Sequence, residues 1–121
     1  MKARQRIATY FNDTEKPLVV VHAICGCFAV HLVLEKHGNS YRNKSRHWTV
    51  THIRSGLRCT GSSDQSFDTK EKAIAYARTL DSFGNWDTDN PKTDCLELIA
   101  NVNQWRAVQQ RLLGDSTDET H

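Results

Sequence analysis

Residues 18–34, LVVVHAICGCFAVHLVL, limit what this chain can fold into more than any other stretch, because seventeen nearly continuous apolar residues must be hidden from water or placed in lipid. A membrane-spanning helix needs about 17–25 such residues. It would also carry His22 and His31 into hydrocarbon, where ionisable groups are costly. A β-hairpin accounts for the same residues better. Valine is the commonest residue of the run, and its stiff, β-branched side chain suits a pleated surface. Gly26 at the first central position of a Gly26-Cys27 loop fits a type II′ turn. That turn pairs Cys25 with Phe28, Ala23 with Val30, Val21 with Leu32 and Val19 with Leu34. Side chains alternate across a strand, so these eight share one wholly apolar face. Ile24, Ala29, His22, His31, Val20, Val33, Leu18 and Glu35 take the other.

The same register decides the metal question. Zinc ligands must converge within about 2.0–2.3 Å of one point, yet Cys25 points away from His22 and His31, and Cys27 lies in the turn. No metal and no cofactor is expected. What remains is a cross-strand pair, His22 opposite His31, with Cβ atoms about 4.5–5.5 Å apart. Mutual repulsion and partial burial would both depress a pKa, which makes the two a pH-sensitive pair.

Upstream, residues 6–11 read as a short strand and 12–17 as a turn closed by Pro17. Downstream, the polar stretch 37–47 reads as a loop, followed by a second hairpin, 48–53 with 57–60, turning at Ser55-Gly56. Trp48, Val50, His52, Leu57 and Cys59 then share a face. A helix follows with Asp68 as cap, Glu71 at N3 and Gly84 beyond its end. A second helix starts at Asn90-Pro91 and carries the apolar line Cys95, Leu98, Ile99, Val102, Trp105 and Leu112 to Gly114. Strands first and helices afterwards predict an α+β domain: an antiparallel sheet of about five strands, then two helices packed on one face. Residues 1–114 form that single domain, and 115–121 a disordered acidic tail.

Composition narrows function mainly by exclusion. The 121 residues carry a net charge of only +2, with 38% hydrophobic and 25% charged residues, which suits one soluble domain. The start MKARQRIATYF lacks the apolar core of a signal peptide, so a cytoplasmic location is expected, where four cysteines stay reduced. No G-x-S-x-G, P-loop or H-E-x-x-H occurs, and nothing fixes an acid such as Asp64 beside His52. A thiol- or metal-dependent enzyme is therefore the least supported class, and no catalytic residue is assigned. In SYRNKSRHW, the cations Arg42, Lys44 and Arg46 alternate between Tyr41 and Trp48, so an extended chain would align them on one side. That pattern fits a nucleic-acid module using the basic loop 41–48 or a contact to a protein. Trp86 among acidic and amide residues is a second candidate partner contact, because interface hot spots favour Trp, Tyr and Arg.

The segment 48–86, HWTVTHIRSGLRCTGSSDQSFDTKEKAIAYARTLDSFGNWD with its first histidine, resembles small phage- and plasmid-type proteins that show a W-x-V-T-H-x-x-S-G hairpin followed by F-x-T-K and an alanine-rich helix. The resemblance implies a mobile-element accessory protein of the host cytoplasm. Such a protein is non-enzymatic and binds and inhibits or modulates a host protein or ribonucleoprotein complex, in the manner of anti-defence (anti-CRISPR) inhibitors. It carries no site residue across. The expected partner surface is Tyr41, Arg42, Lys44, Arg46 and Trp86, with no membrane contact, nucleic acid as the alternative partner, and a homodimer through the C-terminal helix as a further option.

Overall fold

In the computed structural model, which describes residues 5–12, 14–59 and 66–119 (backbone alone from 110), the strands fall into two antiparallel sheets. Strands β1 (Arg6–Ala8) and β2 (Leu18–Val20) form the smaller, with Ile7 opposite Val19. The larger has the order β3 (Ala23–Cys25), β4 (Phe28–His37), β5 (Ser40–His52). Helices α1 (Lys70–Ser82), α2 (Pro91–Asp94) and α3 (Leu96–Glu119) follow, so the class is α+β as expected.

The Gly26-Cys27 turn forms in the predicted register: Cys25 faces Phe28, Ile24 faces Ala29 and Ala23 faces Val30. Gly26 sits at φ +60°, and a Cβ there would strike the Asp81 carboxylate at the end of α1, so glycine is required twice over. Pairing with β4 then stops. The His22 N–H still donates to the Val30 carbonyl (2.9 Å), but the Val21 N–H donates to Gln5 (2.8 Å), and the chain passes to the smaller sheet. Val19 and Val21 therefore do not extend the Val30 face; with Ile7 they pack on Ala29, on the opposite face of β4. The reason is that β4 is a central strand with two faces to bury. Phe28 and Val30 are covered by Ala73, Ala77 and Leu80 of α1, while Ala29 lies under the smaller sheet. A hydrogen bond between the Thr9 and Thr51 hydroxyls (2.8 Å) ties the two layers.

The stretch 37–47 is strand, not loop. The β4–β5 hairpin turns at Gly38-Asn39 and pairs His37 with Ser40, Lys36 with Tyr41, Glu35 with Arg42 and Leu34 with Asn43. Between Leu34–Asn43 and Leu32–Trp48 the register shifts, so 44–47 bulge against Val33 alone, with Arg46 at φ 63°. The second hairpin closes on a four-residue loop, 53–56, with Thr51 bridging Arg58 and the His52 N–H donating to the Leu57 carbonyl (2.8 Å). The predicted two-residue loop is wrong, but the pairing moved by an even step. Trp48, Val50 and Cys59 accordingly remain on the helix-covered face.

Thr69, not Asp68, caps α1, its hydroxyl accepting the Lys72 N–H (3.2 Å); Asp68 pairs with Lys72 instead (2.8 Å). The second helix is two: Cys95 leaves helical geometry (φ −119°, ψ 35°) while buried beneath the sheet layer, and α3 begins afresh at Leu96. The helix also runs past Gly114 to Glu119, where the sequence suggests a tail, and the Leu112 side chain lies outside the described ones.

Phe28 is 1% exposed and Ile24, on the neighbouring strand, is 50% exposed. Truncating Phe28 to alanine should cost about 3–5 kcal/mol and Ile24→Ala under about 1 kcal/mol, read from urea midpoints of the two variants. Equal losses would mean that β4 does not form the centre of the core.

Candidate functional site

The predicted basic loop is the outer half of the β4–β5 hairpin. Arg42, Lys44 and Arg46 are all exposed, but the bulge breaks the alternation that was to align them in one row. Lys36 adds a cation that the sequence pattern did not single out, because it lies on the facing strand. With His37 and His47, these charges face only one acidic residue, Glu35, within residues 35–47. Lys36 is tethered to Glu15 at 3.0 Å. Arg42 stands across from Glu35.

The aromatic flanks are engaged within the chain. Tyr41 meets Phe11 edge-on (5.3 Å between ring centres) and lies under the Lys36 ammonium at 5.8 Å. Trp48 is half-buried, with the His22 ring edge-on at 4.9 Å. Stacking platforms for unpaired bases need open ring faces; one face of Tyr41 lies under the Lys36 ammonium, and each ring already meets a second ring at a steep angle.

Trp86 is not a surface contact. It is 5% exposed, its Nε1–H donates to the Leu80 carbonyl (2.7 Å), and its own carbonyl accepts from His52 Nε2 (2.7 Å). A carbonyl can only accept, so Nε2 carries the His52 proton and Nδ1 accepts from the Ser55 hydroxyl (2.8 Å). The Ser55 oxygen in turn accepts the Leu57 N–H (3.1 Å). The acidic neighbours that suggested exposure hold Arg54 instead, through Asp87 (2.5 Å) and Asp89 (2.8 Å). On α3, Trp105 leans on Tyr76 and Phe83, and Leu96 and Val108 are exposed.

His22 and His31 are not directly opposed. His31 pairs with Thr49 on β5, and its ring nitrogens reach the Leu32 carbonyl (2.8 Å) and the Thr51 hydroxyl (2.7 Å). Burial is the main cause that lowers its pKa from 6.5 to about 4; the Leu32 carbonyl opposes this, and Arg58 and then His22 add small repulsions. Arg58 is a half-buried cation: its Nε and Nη2 are buried with no hydrogen-bond partner among the described residues, and burial lowers its pKa.

Cys27, Cys59 and Cys95 are placed where deprotonation is hard. Burial, then Asp81 and Asp87, raise the Cys27 pKa, and burial pushes Cys59 up to about 12. A nucleophilic thiol needs the opposite setting. No three His, Cys, Asp or Glu side chains gather into a metal-binding group among the described residues, and Asp64 lies outside them. No described helix is long and apolar enough to cross a membrane. No protein-family model, curated protein or solved structure matches the chain.

His31 yields a pH prediction. Its folded pKa is below its unfolded one, so its contribution is fully present above about pH 6.5 and is lost as pH falls towards about 4. At about 1.4 kcal/mol per pKa unit, the loss is on the order of 3 kcal/mol. Urea midpoints between pH 7.5 and 4 should fall less steeply in His31→Gln than in wild type, and equally steeply in His22→Gln. An equal slope in His31→Gln would remove His31 as the acid-sensitive group.

Proposed function

We propose that the protein is a non-enzymatic binding module that docks its basic β-hairpin onto an acidic surface of a host protein complex. The observation that carries this reading is the concentration of Arg42, Lys44 and Arg46, with Lys36, on one exposed hairpin whose only carboxylate neighbours among the described residues are Glu35 and, at Lys36, Glu15. Clustered exposed charge steers encounter with an oppositely charged surface. The resemblance of residues 48–86 to phage- and plasmid-type proteins supports a host-directed, inhibitory role of the anti-defence kind. Raised thiol pKa values speak against the thiol-enzyme alternative. The Ser55–His52 contact serves as a packing link between the 52–57 turn and the Trp86 loop, with both residues buried.

Nucleic acid is the second reading, favoured by the same cations through phosphate contacts. The packed rings of Tyr41 and Trp48 make base stacking a poor fit.

Replacing Arg42, Lys44 and Arg46 together by glutamate should leave the urea midpoint within about 0.5 kcal/mol of wild type, as exposed surface changes do. Capture of partner from host lysate should drop at least about tenfold in association rate at low salt, with a flatter salt dependence. Unchanged capture would refute the docking role, and capture abolished by nuclease in wild type would assign the partner to nucleic acid.

A further inference from the structure

The face of β5 turned towards the helices does not close completely on them. A cavity of about 320 Å³ lies between the 52–59 segment, the Trp86 loop and the α2–α3 pair. That volume is at the lower end of the about 300–1,000 Å³ typical of small-molecule sites. Its walls are apolar, supplied by Phe28, Leu80, Trp86, Ile99 and Val102. Its formally charged lining is of one sign: Arg58, Lys92 and Arg106 contribute, and no Asp or Glu takes part. Neither Lys92 nor Arg106 is paired with a carboxylate among the described residues. Arg106 is held in place, its Nε and Nη2 donating to the Tyr76 hydroxyl and its Nη2 to the Cys59 carbonyl. Lys92 is exposed beside buried Pro91 at the start of α2, so its ammonium is free to swing over a ligand.

We propose that this cavity binds a small amphipathic anion, an aromatic or short-chain aliphatic acid. Its apolar body lies against Phe28, Trp86 and Val102, and its acid group sits at Lys92 within the field of Arg106. Apolar walls supply affinity without direction, and the cations supply orientation and select against neutral analogues. The site is separate from the basic hairpin and does not depend on the partner proposed for it.

Titrate the protein with the aromatic sulfonate 8-anilinonaphthalene-1-sulfonate and with its uncharged analogue N-phenyl-1-naphthylamine, following probe fluorescence, and displace each with decanoate. Wild type should bind one sulfonate per chain, reversibly and displaceably. Lys92→Glu should weaken the sulfonate about tenfold or more, the scale of one charge-assisted contact, and leave the neutral probe within about twofold. Val102→Trp, which fills the cavity, should weaken both probes. Because that change can also disturb packing, its urea midpoint is measured alongside, and Ile99→Phe serves as a milder filler. The proposal is overturned if wild type shows no saturable site, if Lys92→Glu weakens both probes alike or neither, or if both fillers that keep the wild-type midpoint bind the sulfonate as wild type does.

Discussion

The fold depends on a hydrogen-bonded relay through the core, in which His52 joins three segments that share no regular secondary structure. Leu57 donates to Ser55, Ser55 to His52, His52 to the Trp86 carbonyl, and the Trp86 indole to Leu80 at the end of α1. Each member satisfies a polar atom that the next would otherwise bury unpaired, at about 1–3 kcal/mol apiece. The relay turns an Asn- and Asp-rich connection, residues 83–90, into part of the core. It also sets which His52 nitrogen donates, because the Trp86 carbonyl can only accept from Nε2 and the Ser55 N–H can only donate to Nδ1 (3.3 Å). Phe28 then packs edge-on against both rings, His52 at 5.7 Å and Trp86 at 5.4 Å, so apolar packing and the polar chain hold one another in register.

Why some elements were legible in the sequence and others were not follows from the range of the forces involved. The Gly26 turn and its first three pairs are local, set by backbone φ and side-chain alternation, and both are visible in a short window. The exchange of partners at Val21 and His22 is not, since valines look alike under a helix layer or under a second sheet. The 37–47 strand escaped because a ribbon wet on both faces has no apolar period to read. Trp86 escaped for the reverse reason: its neighbours are polar, but its indole N–H and carbonyl find partners 6 and 34 residues away. The His22–His31 pair failed with the register that produced it. What survived was the chemistry of His31 alone, whose low pKa comes from burial.

Charge is distributed unevenly over the chain. The body neutralises some of its ions locally, Arg54 with Asp87 and Asp89, and Lys72 with Asp68, while Arg58, Lys92 and Arg106 meet no carboxylate among the described residues. On the hairpin only Lys36 and His37 meet a carboxylate among the described residues, and the ribbon is held by its ladder, interrupted by the bulge at 44–47, and not by a core. Docking through such an element needs little rearrangement of the folded body, because the hydrogen-bond relay and the helix layer lie at the other end of the same two strands.

The bulge at 44–47 has one more consequence, for the company the protein keeps with itself. A three-stranded sheet has two open edges, each a template for pairing with another copy. Here β3 is only three residues long, and the inner part of β5 is capped by bridges to Arg58 and Phe67. Half of the uncapped stretch of β5, residues 44–47, bulges, carries Lys44 and Arg46, and puts a non-glycine residue at positive φ. A second copy offering an extended strand there would meet a kinked backbone and two like charges, so the sheet resists growing edge to edge into aggregates.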